Sequence, residues 1–128
     1  MPRRSMLVLL ALPALVAACG PRAGDPAHLL GTWRSDQPPA TLELGRRSFR
    51  LQSGDLTKWG TAQRTPFRVA FVLTRTSSPA FRLYCRDTVD VYAWDVEGGV
   101  LRLAAVGRPC DRAARAVLVA AEWERAPR

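Results

Sequence analysis

Thr88-Val89-Asp90-Val91-Tyr92-Ala93-Trp94-Asp95-Val96-Glu97-Gly98-Gly99-Val100-Leu101-Arg102-Leu103-Ala104-Ala105-Val106 is the stretch that decides the fold. Two runs rich in β-branched and aromatic residues flank Glu97-Gly98-Gly99, where glycine can take the positive φ of a tight hairpin turn. Tyr92, Trp94 and Val96 share one parity before the turn, and Leu101 and Leu103 share one after it. Alternation with a period of two marks strands with one buried face.

The same grammar extends outward. Phe67 to Thr74 is apolar and β-branched, predicting a largely buried strand that ends at Ser77-Ser78-Pro79. A polar strand near Trp59 to Arg64 follows the turn Ser53-Gly54-Asp55. Phe49 and Leu51 follow Gly45-Arg46-Arg47, and Leu42 and Leu44 share a face in Thr41 to Leu44. The first strand holds Trp33 and stops before Gln37-Pro38-Pro39. Downstream, Arg108 to Arg115 reads as a loop or one helical turn. Val117 to Arg125 reads as a closing segment carrying Trp123, with enough alanine to leave a helix open. No long amphipathic helix interrupts the series. The expectation is an all-β chain, a small antiparallel meander of about eight strands, closed into a barrel so that no edge is left to pair with other chains.

The amino end is of another kind. Arg3 and Arg4 precede an apolar run, Met6 to Ala18, of 13 residues. Spanning a bilayer as a helix takes about 20, so this run reads as a secretory signal helix. Its last residues, Leu15-Val16-Ala17-Ala18-Cys19, resemble the bacterial lipobox. That resemblance implies a diacylglycerol on the Cys19 thiol, cleavage before Cys19 by signal peptidase II, and a lipid-anchored envelope protein. Arg3-Arg4-Ser5-Met6-Leu7 also resembles a twin-arginine export signal. Arginine is abundant throughout the chain, so export of the unfolded chain is the expected route. Gly20, in place of Asp, implies sorting to the outer membrane where the organism has one, and otherwise to the outer face of the plasma membrane. The expected organisation is a signal peptide over 1–18, lipidated Cys19 with a flexible Gly/Pro-rich tether over 19–28, and one barrel domain over 29–126.

The chain carries 19 basic and 11 acidic residues, a net charge of +8. Such a balance suits anionic surfaces. The arginines are scattered rather than clustered, so no nucleic-acid partner is expected, and their excess over the single lysine fits a GC-rich coding bias. With Cys19 acylated, Cys85 and Cys110 remain as an even pair in an oxidising compartment. A disulfide between them would add about 3 kcal/mol in the chain-entropy model. No CxxC spacing is present and the one histidine, His28, lies in the tether, so no metal site is expected.

The same histidine count argues against Ser-His-Asp and Cys-His catalysis in the folded part. No phosphate loop or HExxH occurs. Asp87, Asp90 and Asp95 are candidate carboxylates, read as solvated outward positions of a strand. Neither an enzyme nor a cofactor is expected. Trp94, Tyr92, Phe49, Phe71, Leu101 and Leu103 are expected inside the barrel, as core filling or as the lining of a ligand pocket. Trp59, beside Gly60 in a polar strand, is the tryptophan least suited to the core.

Gly31-Thr32-Trp33 resembles the G-x-W element of lipocalins and related calycin barrels. The resemblance implies that Trp33 packs across the closed end against a basic side chain, a part that falls to Arg125. The order Cys85, Tyr92-Ala93-Trp94-Asp95, Glu97-Gly98-Gly99, Leu101-Arg102-Leu103, Cys110, Leu118 and Trp123-Glu124-Arg125 is similar to small lipocalin-like domains of high-GC bacterial lipoproteins. Together these imply a monomeric, non-catalytic envelope protein binding a small hydrophobic or amphipathic ligand in its barrel. The alternative is a solid barrel acting as a protein-interaction or hydrolase-inhibitor module, through 53–66 and 107–115. A third reading has scattered arginines packing on an anionic surface polymer.

Overall fold

The computed structural model describes residues 24–77 and 85–127. The signal helix and Cys19 lie outside the described residues. Eight antiparallel strands close into one barrel in simple chain order. They are β1 (Gly31–Asp36), β2 (Pro39–Leu44), β3 (Ser48–Ser53), β4 (Leu56–Arg64), β5 (Arg68–Thr76), β6 (Val89–Glu97), β7 (Val100–Val106) and β8 (Trp123–Arg125). Helix α1 (Arg112–Ala120) is inserted before β8, and a 3-10 turn, Pro26–Leu29, precedes β1. β8 is the keystone: Trp33 pairs with Arg125 on one side, and Leu101 pairs with Trp123 on the other.

The interior follows the strand alternation. Trp33, Leu42, Leu51, Val69, Tyr92, Leu101 and Trp123 are fully buried on facing positions. Phe49 meets Phe71 edge-on at 4.8 Å between centroids, and Phe71 meets Tyr92 at 5.7 Å. Each such ring removes some 200 Å² from water and adds roughly 1 kcal/mol of ring-ring attraction. At the β6–β7 hairpin Gly98 and Gly99 take φ of 59° and 78°, values that a side chain would strain.

In a meander, alternate turns fall at the same end. One end, the Trp33 end, carries the β2–β3, β4–β5 and β6–β7 turns and the 3-10 turn. The other, the helix end, carries the β1–β2 and β3–β4 turns, Cys85 and α1. Cys85 and Cys110 are disulfide-bonded there, with Cα atoms 5.6 Å apart.

Three expectations change. The segment after Cys110 is helical over Arg112–Ala120, and the closing strand shrinks to Trp123–Arg125. Asp111 caps the helix by accepting from Ala114 N, and Ala114 and Leu118, four apart, form its buried face. Nine residues are too few for a helix stable by itself; packing on β7 holds this one. Phe67, expected in a buried strand, sits in the β4–β5 turn and is 45% exposed. Residues 24–28, read as part of a flexible tether, lie against the barrel. Gly24 N donates to Pro66 O, and Asp25 caps the 3-10 turn through Ala27 N.

Candidate functional site: the barrel interior and its two ends

At the Trp33 end the side chains of the G-x-W element meet the last strand. The Arg125 guanidinium lies 4.4 Å over the Trp33 ring. Its Nη1 donates to Leu30 O at 2.8 Å and its Nη2 donates to His28 O. Trp33 Nε1 donates to Leu29 O at 3.0 Å, so the indole is both buried and satisfied. Gly31 has φ 125°, and a Cβ there would stand 3.0 Å from Arg125 Nη1. Glycine is therefore demanded twice, by backbone and by space. This constellation ties the 3-10 turn over the barrel mouth, with two Arg125 donors and the Trp33 indole N–H bound to its carbonyls.

The helix end is sealed by ions. Lys58 points inward from β4, 1% exposed, and its Nζ is ion-paired and hydrogen-bonded to Asp111 Oδ2. Asp111 is 5% exposed and uses its other oxygen to cap α1. Asp90, on β6, accepts from Cys110 N at 2.8 Å and from Asp111 N at 3.1 Å. Asp90 is a correction: it is buried, whereas Asp87 and Asp95 are exposed as expected of outward positions. Its parity with Tyr92, two residues on, was the available signal. Lys58 and Asp111 were missed altogether. A D-x-x-A start before an alanine-rich run is a readable N-cap, but nothing local announces an inward lysine.

Tyr92 Oη lies among these charges, buried and without a protein hydrogen-bond partner among the described residues. Burial, then the Asp90 and Asp111 carboxylates, push its phenol well above the ordinary value near 10, with Arg115 opposing weakly. The phenol is held neutral and is no base.

Phe49, Phe71, Leu73, Tyr92, Lys58, Asp90, Asp111 and the helix residues Ala114 and Leu118 surround a cavity of about 20 Å³. That is the size of a single water. Tyr92, Phe49, Phe71, Leu101 and Leu103 thus pack as core. Trp94 stands at the rim instead, half-buried, with Nε1 donating to Thr65 O at 2.9 Å. Trp59 lies outside the core, with the Arg75 guanidinium 4.2 Å from its ring centre.

Two larger concavities lie on the outer surface. One, about 680 Å³, mixes Arg34, Asp36, Glu122, Glu124 and Arg125. The other, about 670 Å³, is lined by Pro26, Arg46, Arg47, Thr61, Gln63, Arg64 and Thr65 and has no acidic residue. Among the described residues no group of three or more His, Cys, Asp or Glu is placed to hold a metal ion. No protein-family model, no curated protein and no solved structure matches the chain.

Proposed function

We propose that this chain is an exported envelope lipoprotein, anchored through lipid on Cys19, whose filled barrel works by its outer surface as a non-catalytic protein-interaction module. The observation that carries this reading is the interior: rings, leucines and an ion pair fill it, leaving about 20 Å³. A pocket for a small organic ligand takes roughly 300 Å³ or more. The two inward carboxylates are already committed, Asp90 to two backbone N–H groups and Asp111 to a lysine and a helix N-terminus. Neither is left to move a substrate proton.

A second reading keeps the lipocalin-like role, with a small hydrophobic ligand inside the barrel. It is supported by Gly31, Trp33 and Arg125, whose arrangement resembles that of calycin barrels. Seating such a ligand requires Phe49, Phe71 and Leu73 to withdraw from the cavity they fill.

One measurement separates the two. The full chain is produced in a bacterial host, extracted from membranes in mild detergent, cross-linked to its neighbours, and weighed intact under native and denaturing conditions. We expect Cys19 to carry a diacylglycerol, the native and denatured monomer to have equal masses, and a cross-link to an envelope protein. Extra mass lost only on denaturation assigns the barrel to a ligand. An unmodified Cys19 removes the anchor.

A further inference from the structure

The four arginines Arg46, Arg47, Arg64 and Arg68 are separated in sequence yet converge at the Trp33 end. Arg46 and Arg47 form the β2–β3 turn, Arg64 ends β4 and Arg68 begins β5. Arg64 is tied down, donating to Arg46 O and Pro26 O, and so fixes the two turns together. Arg46, Arg47 and Arg68 are exposed, and no side-chain hydrogen bond or ion pair among the described residues engages them. Between them, Thr65, Pro66 and Phe67 form an exposed tip, with Phe67 45% exposed. Asp25 and Glu97 stand at the same end, outside the groove lined by Arg46, Arg47 and Arg64.

The chain leaves the barrel at this same tip. Gly24 is held by Pro66 O and lies against the outer end of the Trp94 ring, where a Cβ would stand 2.2 Å from it. Trp94 is in turn held by Thr65 O. Gly24 is five Cα steps from Cys19, a reach of at most about 18 Å.

We propose that the Trp33 end is a membrane-docking face, with Arg46, Arg47 and Arg68 on anionic lipid headgroups and Phe67 in the interface. The reach of this face rests on the lipid anchor proposed above, and its chemistry on the surface itself. A basic groove beside a single exposed ring is suited to a surface that is anionic outside and apolar just beneath. A short leash holds that face against the bilayer and leaves the helix end pointing away.

The test uses the lipidated protein on two kinds of vesicle, phosphatidylcholine alone or with phosphatidylglycerol. Flotation is scored first. An arginine-selective dicarbonyl reagent then reports each guanidinium by peptide mass. We expect Arg46, Arg47 and Arg68 to react several-fold more slowly on the anionic vesicles, and Arg112 and Arg115 at the helix end to react equally on both. About 0.5 M salt should erase the difference. Flotation with both vesicles but equal rates everywhere overturns the docking face and leaves the anchor standing. Flotation with anionic vesicles alone removes the anchor and keeps the face. Flotation with neither ends both. Protection in isolated envelopes but not on anionic vesicles assigns the arginines to an acidic wall polymer or protein and overturns the lipid proposal.

Discussion

The two ends of this barrel are closed by opposite solutions to one problem. At the Trp33 end the seal is a cation outside the core: Arg125 lies on an indole and donates to backbone carbonyls that water could otherwise reach. At the helix end the seal is a cation within it: Lys58 is buried against Asp111, beside Asp90. A surface cation can be deleted and its partners rehydrated. A buried one cannot, because its deletion strands a carboxylate in an apolar setting. The ends should therefore differ sharply in what a single substitution costs.

Lys58→Met is the sharpest way to break that comparison. It should lower stability by about 4 kcal/mol in urea unfolding, since it leaves Asp111 charged and unpaired. Adding Asp111→Asn, which keeps an N-cap, should recover more than half of the loss. If Lys58→Met costs no more than Arg125→Ala, the contrast between the ends is wrong. Next, Cys85→Ala with Cys110→Ala should cost about 3 kcal/mol. Amide exchange should rise along α1 while the backbone from Leu29 to Trp33 stays protected.

Arg125→Ala should cost about 2 kcal/mol, from two charge-assisted hydrogen bonds and one cation–π contact at a partly wet site. Exchange should then rise at Pro26–Leu29 and leave α1 alone. Smallest of all, Tyr92→Phe should change stability at pH 7 by less than about 1 kcal/mol, because its hydroxyl has no hydrogen-bond partner among the described residues. Its mark is at high pH. The phenol's folded value is raised, so the unfolded chain releases this proton near pH 10 while the folded one keeps it. Stability contributed by the neutral phenol is intact below pH 10 and falls above it by about 1.4 kcal/mol per pH unit. Tyr92→Phe should remove that slope, read by chemical denaturation at pH 9 and 11.

The barrel was legible because its strands obey a local rule. Leu42 and Leu44, Phe49 and Leu51, and Leu101 and Leu103 alternate, and Gly98-Gly99 marks its own turn. The disulfide was legible from parity of cysteines, given Cys19. Less of the helix end could be read. Lys58 points inward from a strand whose other buried residue is the small Ala62, so β4 shows no strong apolar alternation to expose an intruder. Asp90 was assigned outward because carboxylates mostly are; only its register with Tyr92 said otherwise. The arginine cluster was unreadable because two turns distant in sequence build it. Closure of a meander is what turns scattered sequence positions into neighbours.

That closure also sets a clock. Trp33 on β1 finds its last partner in Arg125, about ninety residues further along the chain. This is the least local pairing in the sheet, so by contact order it is the slowest to form. Until β8 docks, β1 has one bare edge and the indole at the centre of the seal is uncovered. A chain that cannot finish itself until its final strand docks is vulnerable for that interval.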